Sequence, residues 1–244
     1  MRNALLDVVK HTGNLGFVDI VKITGTAKET IIEAIDKDRT MIIKGKLGEA
    51  EEGLTGEFGV GNMAKLQQLL NHFNADDAKI DVEYKTGNNK VQYPIALHFS
   101  DAQKQKAIFR LVGLDFVPDQ PKFLGANWDV TVKPSKNKIA ELASMVSIMG
   151  GVDSYFTVRV NKNELQFWLG SEESATDSMF IKVADDLEDV KSFEMDWPHT
   201  QVMAILKLAG EELPEINISA KGAMQINVKS KLGQYSYILP ARKR

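Results

Sequence analysis

At 244 residues, 43% hydrophobic and 26% charged, the chain has the composition of an ordinary folded protein and the length for one large domain or two of about 120 residues. The lack of cysteine excludes disulfides, thiolate metal sites and a cysteine nucleophile, and no apolar run is long enough to span a bilayer. A formal net charge of −3 excludes a binder that works by wholesale neutralisation of phosphates, so any contact with nucleic acid must be local.

In chain order, the first periodic segment is a short helix that sets Leu5, Val8 and Val9 against Arg2 and Lys10 and ends near Thr12-Gly13. A second helix spans 62–73, with Met63, Leu66, Leu69, Leu70 and Phe73 as its apolar stripe and Lys65, Gln68 and His72 on a different face. A third runs over 136–149, where Ser135 is the N-cap, Ile139, Leu142 and Val146 point inward and Gly150 is the stop. The last, up to 209, opens at Pro198, buries Val202, Ile205 and Leu206, keeps Lys207 on its polar side and stops at Gly210. Short β-rich stretches at 17–23, 30–35, 41–46, 79–85, 91–99, 107–112, 128–132, 155–160, 164–169, 179–183, 215–220, 224–229 and 235–239 read as strands. Turn residues such as Gly87-Asn88 and Asn161-Lys162-Asn163 separate them. Residues 116–127 carry Pro118 and Pro121, match neither period, and are the expected connector between a first domain, 1–115, and a second, 128–244.

The two halves repeat one pattern. Leu66, Leu69, Leu70, Ile80 and Val82 have counterparts in Val202, Ile205, Leu206, Ile216 and Ile218 at a constant offset of 136 residues (216 − 80 = 136). Upstream, Gly16 and Val18-Asp19 line up with Gly150 and Val152-Asp153 at 134 (150 − 16 = 134). The chain is therefore expected to be α+β, with a unit of helix, strands, helix and strands duplicated and its antiparallel sheets backed by helices. Acidic residues gather in the turns, as at Glu49, Glu51 and Glu52, Asp76-Asp77, Glu172-Glu173, Asp185-Asp186 and Glu211-Glu212, while several of the sparser basic residues fall on helices.

Three stretches carry a resemblance to a known family: Gly59-Val60-Gly61-Asn62-Met63-Ala64-Lys65-Leu66, Val132-Lys133-Pro134-Ser135 and Tyr235-Ser236-Tyr237-Ile238-Leu239-Pro240-Ala241. In these, and in the order of its elements, the chain resembles the DNA sliding clamps, in the two-domain form shared by proliferating cell nuclear antigen and the clamps of T-even-type phages. Weak identity with the cellular clamps favours a phage origin. The resemblance implies a DNA clamp fold with sheets outside and two helices of each domain inside. It also implies a homotrimeric ring that encloses double-stranded DNA without reading its sequence and tethers a replicative polymerase. An ATP-dependent loader opens such rings, and neither a cofactor nor a metal is implied. Lys10, Lys65 and Lys207 match clamp positions that are basic, with His72 and Lys138 on the same surfaces; the third helix departs from the pattern by offering Glu141 and Ser144. Ring closure is expected between Ala107, Phe109 and Leu111 of one subunit and Met179 and Ile181 of the next. A partner-peptide pocket is expected from Met41, Phe123, Leu124, Tyr237 and Pro240.

A ring threaded by DNA needs little affinity, so a modest basic lining is compatible with net acidity. Enzymatic readings find little support: His11, His72, His98 and His199 are scattered without an i, i+4 pair, and each is expected at a surface or rim. Gly59-Val60-Gly61 lacks the third glycine of a dinucleotide loop and is expected to end a strand, and no phosphate loop or nucleophile elbow occurs. The sequon at Asn217-Ile218-Ser219 is formal, because nothing at the N-terminus resembles a secretory signal; the chain is expected in the cytoplasm, the host's if phage-encoded. Two rival readings are a β-rich phage structural protein with no DNA-tethering role and a cofactor-free enzyme.

Overall fold

The computed structural model describes residues 1–87, 91–172, 176–188 and 190–242. Asn88 of the expected Gly87-Asn88 turn and Glu173 of the Glu172-Glu173 pair lie outside them. The chain divides into two units, Met1–Lys122 with Ser230–Tyr235, and Phe123–Lys229 with Ser236–Arg244, so the stretch expected as a connector is shared between them at Lys122 and Phe123.

The first unit runs α1 (Arg2–His11), β1 (Val21–Gly25), β2 (Thr30–Ile35), β3 (Ile42–Leu47), β4 (Gly56–Val60), α2 (Met63–His72), β5 (Lys79–Thr86), β6 (Gln92–Ser100) and β7 (Lys106–Arg110). Its strands form two antiparallel sheets, ordered β4-β1-β2-β3 and β5-β6-β7. The second unit runs β8 (Val130–Val132), α3 (Lys136–Met149), β9 (Tyr155–Asn161), β10 (Glu164–Leu169), β11 (Met179–Ala184), β12 (Phe193–Pro198), α4 (His199–Leu206), β13 (Glu215–Ser219) and β14 (Ala223–Lys229). The last strand, β15 (Gly233–Pro240), starts in the first unit and ends in the second. The order β12-β9-β10-β11 repeats β4-β1-β2-β3 strand for strand. The structure is thus α+β with antiparallel sheets, and the sequence repeat is a repeat of topology.

Alternation drives the strands. In β1, Val21 and Ile23 are buried while Lys22 and Thr24 are half-exposed, and Met224, Ile226 and Val228 do the same in β14. Strands buried on one face alternate in this way because successive side chains point to opposite sides. The helices each bury one stripe: Leu5, Val8 and Val9 in α1, Leu66 and Leu70 in α2, Val202, Ile205 and Leu206 in α4, and in α3 Leu142, Met145 and Met149, with Ile139 and Val146, expected inward, only half-buried. In the second unit, α3 packs on β10 and β11, and α4 on β9, β12 and β14. Among the described residues no helix is long and apolar enough to cross a membrane.

Several boundaries differ from expectation. The first strand begins at Val21 instead of 17, because Gly16 takes a left-handed conformation (φ 85°) and the Lys37 N–H bonds to the Phe17 carbonyl at 3.0 Å. The last helix ends at Leu206, three residues early, in a turn through Lys207 and Leu208. Pro198 closes β12 and caps α4 from outside the helix. Strand β12 was not read from the sequence, and β4 only through its expected end at Gly59-Val60-Gly61; each pairs beside the first strand of its sheet.

Candidate nucleic-acid interface and partner surfaces

The helices are poor in acids, and so net basic, in a chain that is acidic overall. The four helices and the residue that ends the last carry Arg2, Lys10, Lys65, Lys136, Lys138 and Lys207 against the carboxylates Asp7 and Glu141. Asp7 presents almost nothing outward: its side chain is 11% exposed and accepts hydrogen bonds from Ser230 Oγ (2.9 Å) and Tyr235 Oη (2.8 Å). Lys10 and Lys65 are exposed, and α2 contains no acid.

The first-unit helices lie side by side and antiparallel. Arg2 Nε donates to the Leu70 carbonyl at 2.7 Å, tying the start of α1 to the end of α2. At the other end Gly13 follows α1 so closely against Met63 that a Cβ on it would lie 2.3 Å from the methionine Cβ. Lys10, in the last turn of α1, and Lys65, in the first turn of α2, therefore stand at the same end of the pair. His72 is exposed at the other end of α2, with Nε2 2.8 Å from Gln105 Oε1.

In the second unit, Lys207 is exposed just beyond α4, its N–H bonded to the Met203 carbonyl. Lys138 differs from the other cations: its ammonium sits 2.7 Å from Glu141 Oε2, so it offers an ion pair where a free charge was expected. Lys136, exposed on the first residue of α3, is a cation that sequence reasoning missed. Its position after the Ser135 cap was the available clue.

The expected closing strands are edges, β7 of the β5-β6-β7 sheet and β11 of the β11-β10-β9-β12 sheet. Their side chains alternate out of phase with the expectation. Phe109 is 3% exposed and paired in register with the fully buried Leu97, so it belongs to the core; Ile108, 48% exposed, is the outward residue. Ala107 and Leu111 are half-buried beside it. On β11, Met179 and Ile181 are half-buried, while Phe180 is exposed and stacks on Trp168 at 4.4 Å.

The expected peptide pocket is corrected in the same way. Met41 and Tyr237 are fully buried and provide no wall to an outside ligand. Met41 also holds the Asp36 turn, its N–H donating to Asp36 Oδ1 at 2.7 Å. Pro240 is exposed. Phe123 leans on Trp128, ring centroids 6.2 Å apart, and Leu124 is 94% exposed. These two residues line a cavity of about 540 Å³ with Gly125, Ala126, Asn127 and, from the β13–β14 turn, Ser219, Lys221 and Ala223.

The histidines divide. His11 and His199 are buried, contrary to the expected rim positions, because each stacks or abuts an aromatic ring, Tyr235 and Phe156 respectively. His98 is half-exposed, with Nε2 2.7 Å from Glu83 Oε2. Asn217 is 5% exposed, and its amide donates to Glu215 and Gln225 while its oxygen accepts from Thr131, which closes the formal sequon to modification.

No protein-family model and no curated protein matches the chain in sequence. Solved structures do match it in shape. The proliferating cell nuclear antigen (PCNA) of Thermococcus kodakaraensis aligns over 99% of this chain and 96% of its own with a TM-score of 0.66 at 11% identity. The A. fulgidus PCNA, solved with the C-terminal region of FEN-1 bound, aligns over 98% and 96% with a TM-score of 0.68 at 13% identity. The H. pylori beta clamp covers all of this chain with 64% of its own at a TM-score of 0.68 and 12% identity.

The chain has the fold of the DNA sliding clamps. At identities of 11–13% the likeness rests on element order and topology, which is where the sequence repeat also lies.

Proposed function

We propose that this protein is a DNA polymerase processivity factor: a sliding clamp whose subunits, three to a ring, encircle duplex DNA and tether a polymerase to it. The observation that carries the reading is the net positive charge of the helices, whose cations face only the carboxylates Asp7 and Glu141, in a clamp fold whose net charge is −3. Cations there attract the phosphate backbone without sequence preference, and their small number keeps the hold weak enough for sliding. Net negative charge elsewhere discourages DNA from binding the outer surface.

Ring closure follows from the edges. A bare edge strand invites pairing, and a head-to-tail contact between unlike edges closes when the rotation between copies suits. In this reading β7 of one copy pairs with β11 of the next, with Ile108 and Phe180 outward on the two strands. Loading by an ATP-dependent partner and tethering through a short terminal peptide complete the proposal. The FEN-1 segment on the A. fulgidus PCNA is the precedent for such a peptide. The cavity at Phe123, Leu124 and the β13–β14 turn, with Ser219, Lys221 and Ala223 in place of the buried Met41 and Tyr237, is the site assigned to it.

The test is primer extension with a replicative polymerase and an ATP-dependent loader from the organism that encodes this chain. Replacing Lys10, Lys65 and Lys207 together with glutamate should shorten products to those made without the clamp, while single alanine changes should matter only at low salt, since charges beyond about 8 Å are screened at physiological ionic strength. Full-length products from the folded triple variant would remove the assignment of these helices to DNA.

A further inference from the structure

We propose that Asp7, His11, Ser230 and Tyr235 form an acid-released latch that holds the first helix against the Ser230–Tyr235 segment near the far end of the chain. The four side chains come from positions more than two hundred residues apart, and they meet within the first unit. The His11 ring is 1% exposed and lies on the Tyr235 ring with centroids 4.3 Å apart and planes within 5°. Beneath Tyr235 the β3 strand carries Gly45, where a Cβ would lie 2.7 Å from the phenol ring, so the stack has no room to shift inward. Asp7 Oδ2 accepts from both Ser230 and Tyr235, so one carboxylate of α1 grips both ends of the segment.

The imidazole is placed to be neutral. Its Nδ1 lies 2.9 Å from the Asp7 carbonyl and donates to it, so an added proton goes to Nε2, inside the packed ring pair. Asp7 also stands near the ring, its Oδ1 3.4 Å from Nδ1, and both its carboxylate and its carbonyl favour the charged form. Lys10 of the same helix opposes it, and from β15 the phenol of Tyr235 faces the ring, while Ser230 reaches the shared carboxylate from the turn. Burial is the largest of these influences and holds His11 below the ordinary imidazole value of 6.5.

The sign follows. In the unfolded or released chain the ring takes up a proton as the pH falls below about 6.5, and in the latched state it resists until a lower pH. The latch is therefore at full strength above that value and weakens progressively below it. Release frees the last turn of α1, and with it Lys10, from the Ser230–Tyr235 segment.

Hydrogen exchange on the full chain at about pH 7.5 and pH 5, corrected for the intrinsic chemical rate, tests this. Peptides covering residues 2–12 and 230–236 should exchange several-fold faster at the acid pH, while those covering β9 and β10 should not change. The His11→Phe variant, which keeps a stacked ring but cannot be protonated, should lose the acid effect. Equal acceleration in that variant, or acceleration throughout the molecule, overturns the latch. Should His11→Phe fail to fold, an NMR titration of the wild-type imidazole decides: a midpoint below 6.5 supports the proposal and one at or above it refutes it.

Discussion

Phe109 shows how much depends on a single step of register. Strand β7 was legible as a strand, but its phase was not, because Ala107-Ile108-Phe109-Arg110-Leu111 offers apolar residues on both faces and only pairing with Leu97 settles which one is inward. Phe109→Ala should therefore cost about 3–5 kcal/mol in urea unfolding, as buried phenylalanines do. Ile108→Glu should change stability by no more than about 0.5 kcal/mol, as surface changes do, and act on assembly instead. The reverse ranking would mean that the strand is out of register. Met41 and Tyr237 were misread for a related reason, since nothing local distinguishes a pocket wall from a core residue. His11 was beyond sequence reasoning altogether, because the ring it stacks on is Tyr235, at the opposite end of the chain.

Elements with strong local punctuation were legible, and those held by tertiary pairing were not. Helix α3 runs over the expected residues because Ser135 caps it, its hydroxyl accepting from the Lys138 N–H at 3.2 Å, and because the chain turns at Gly150. Ser135→Ala should lower unfolding stability by about 1 kcal/mol, the usual worth of such a cap, in a chemical denaturation series; no change would mean that solvent serves the helix end equally well. Strand β4, with glycines at both Gly56 and Gly59, has poor intrinsic preference and exists because β1 pairs along its full length. Strand β12 could have been read: Phe193, Met195 and Trp197 alternate with Glu194 and Asp196, but Pro198 drew the segment toward the helix that follows. Of the cavity proposed as the partner site, the sequence showed Phe123 and Leu124 but not the β13–β14 turn that faces them. Leu124→Ala should weaken binding of the polymerase's terminal peptide by about 1–2 kcal/mol in calorimetry without altering stability, because a side chain 94% exposed has little packing to lose. Unchanged affinity would move the peptide site elsewhere.

For the molecule as a whole, duplication is what the sequence declared most clearly, and the matched sheet orders β4-β1-β2-β3 and β12-β9-β10-β11 are its physical form. A chain of 27.1 kDa closing as a trimer would have about three times that mass by light scattering, and Ile108→Glu should shift it toward the monomer. The central claim is topological, and topology separates encirclement from ordinary binding. After loading onto nicked circular DNA, the protein should remain bound through a wash at about 0.5 M salt, which strips binders held only by phosphate contacts. Cutting the circle once should then release it, because a ring slides off a free end. Retention on the linear DNA equal to that on the circle, or loss from both at the salt wash, would contradict the account.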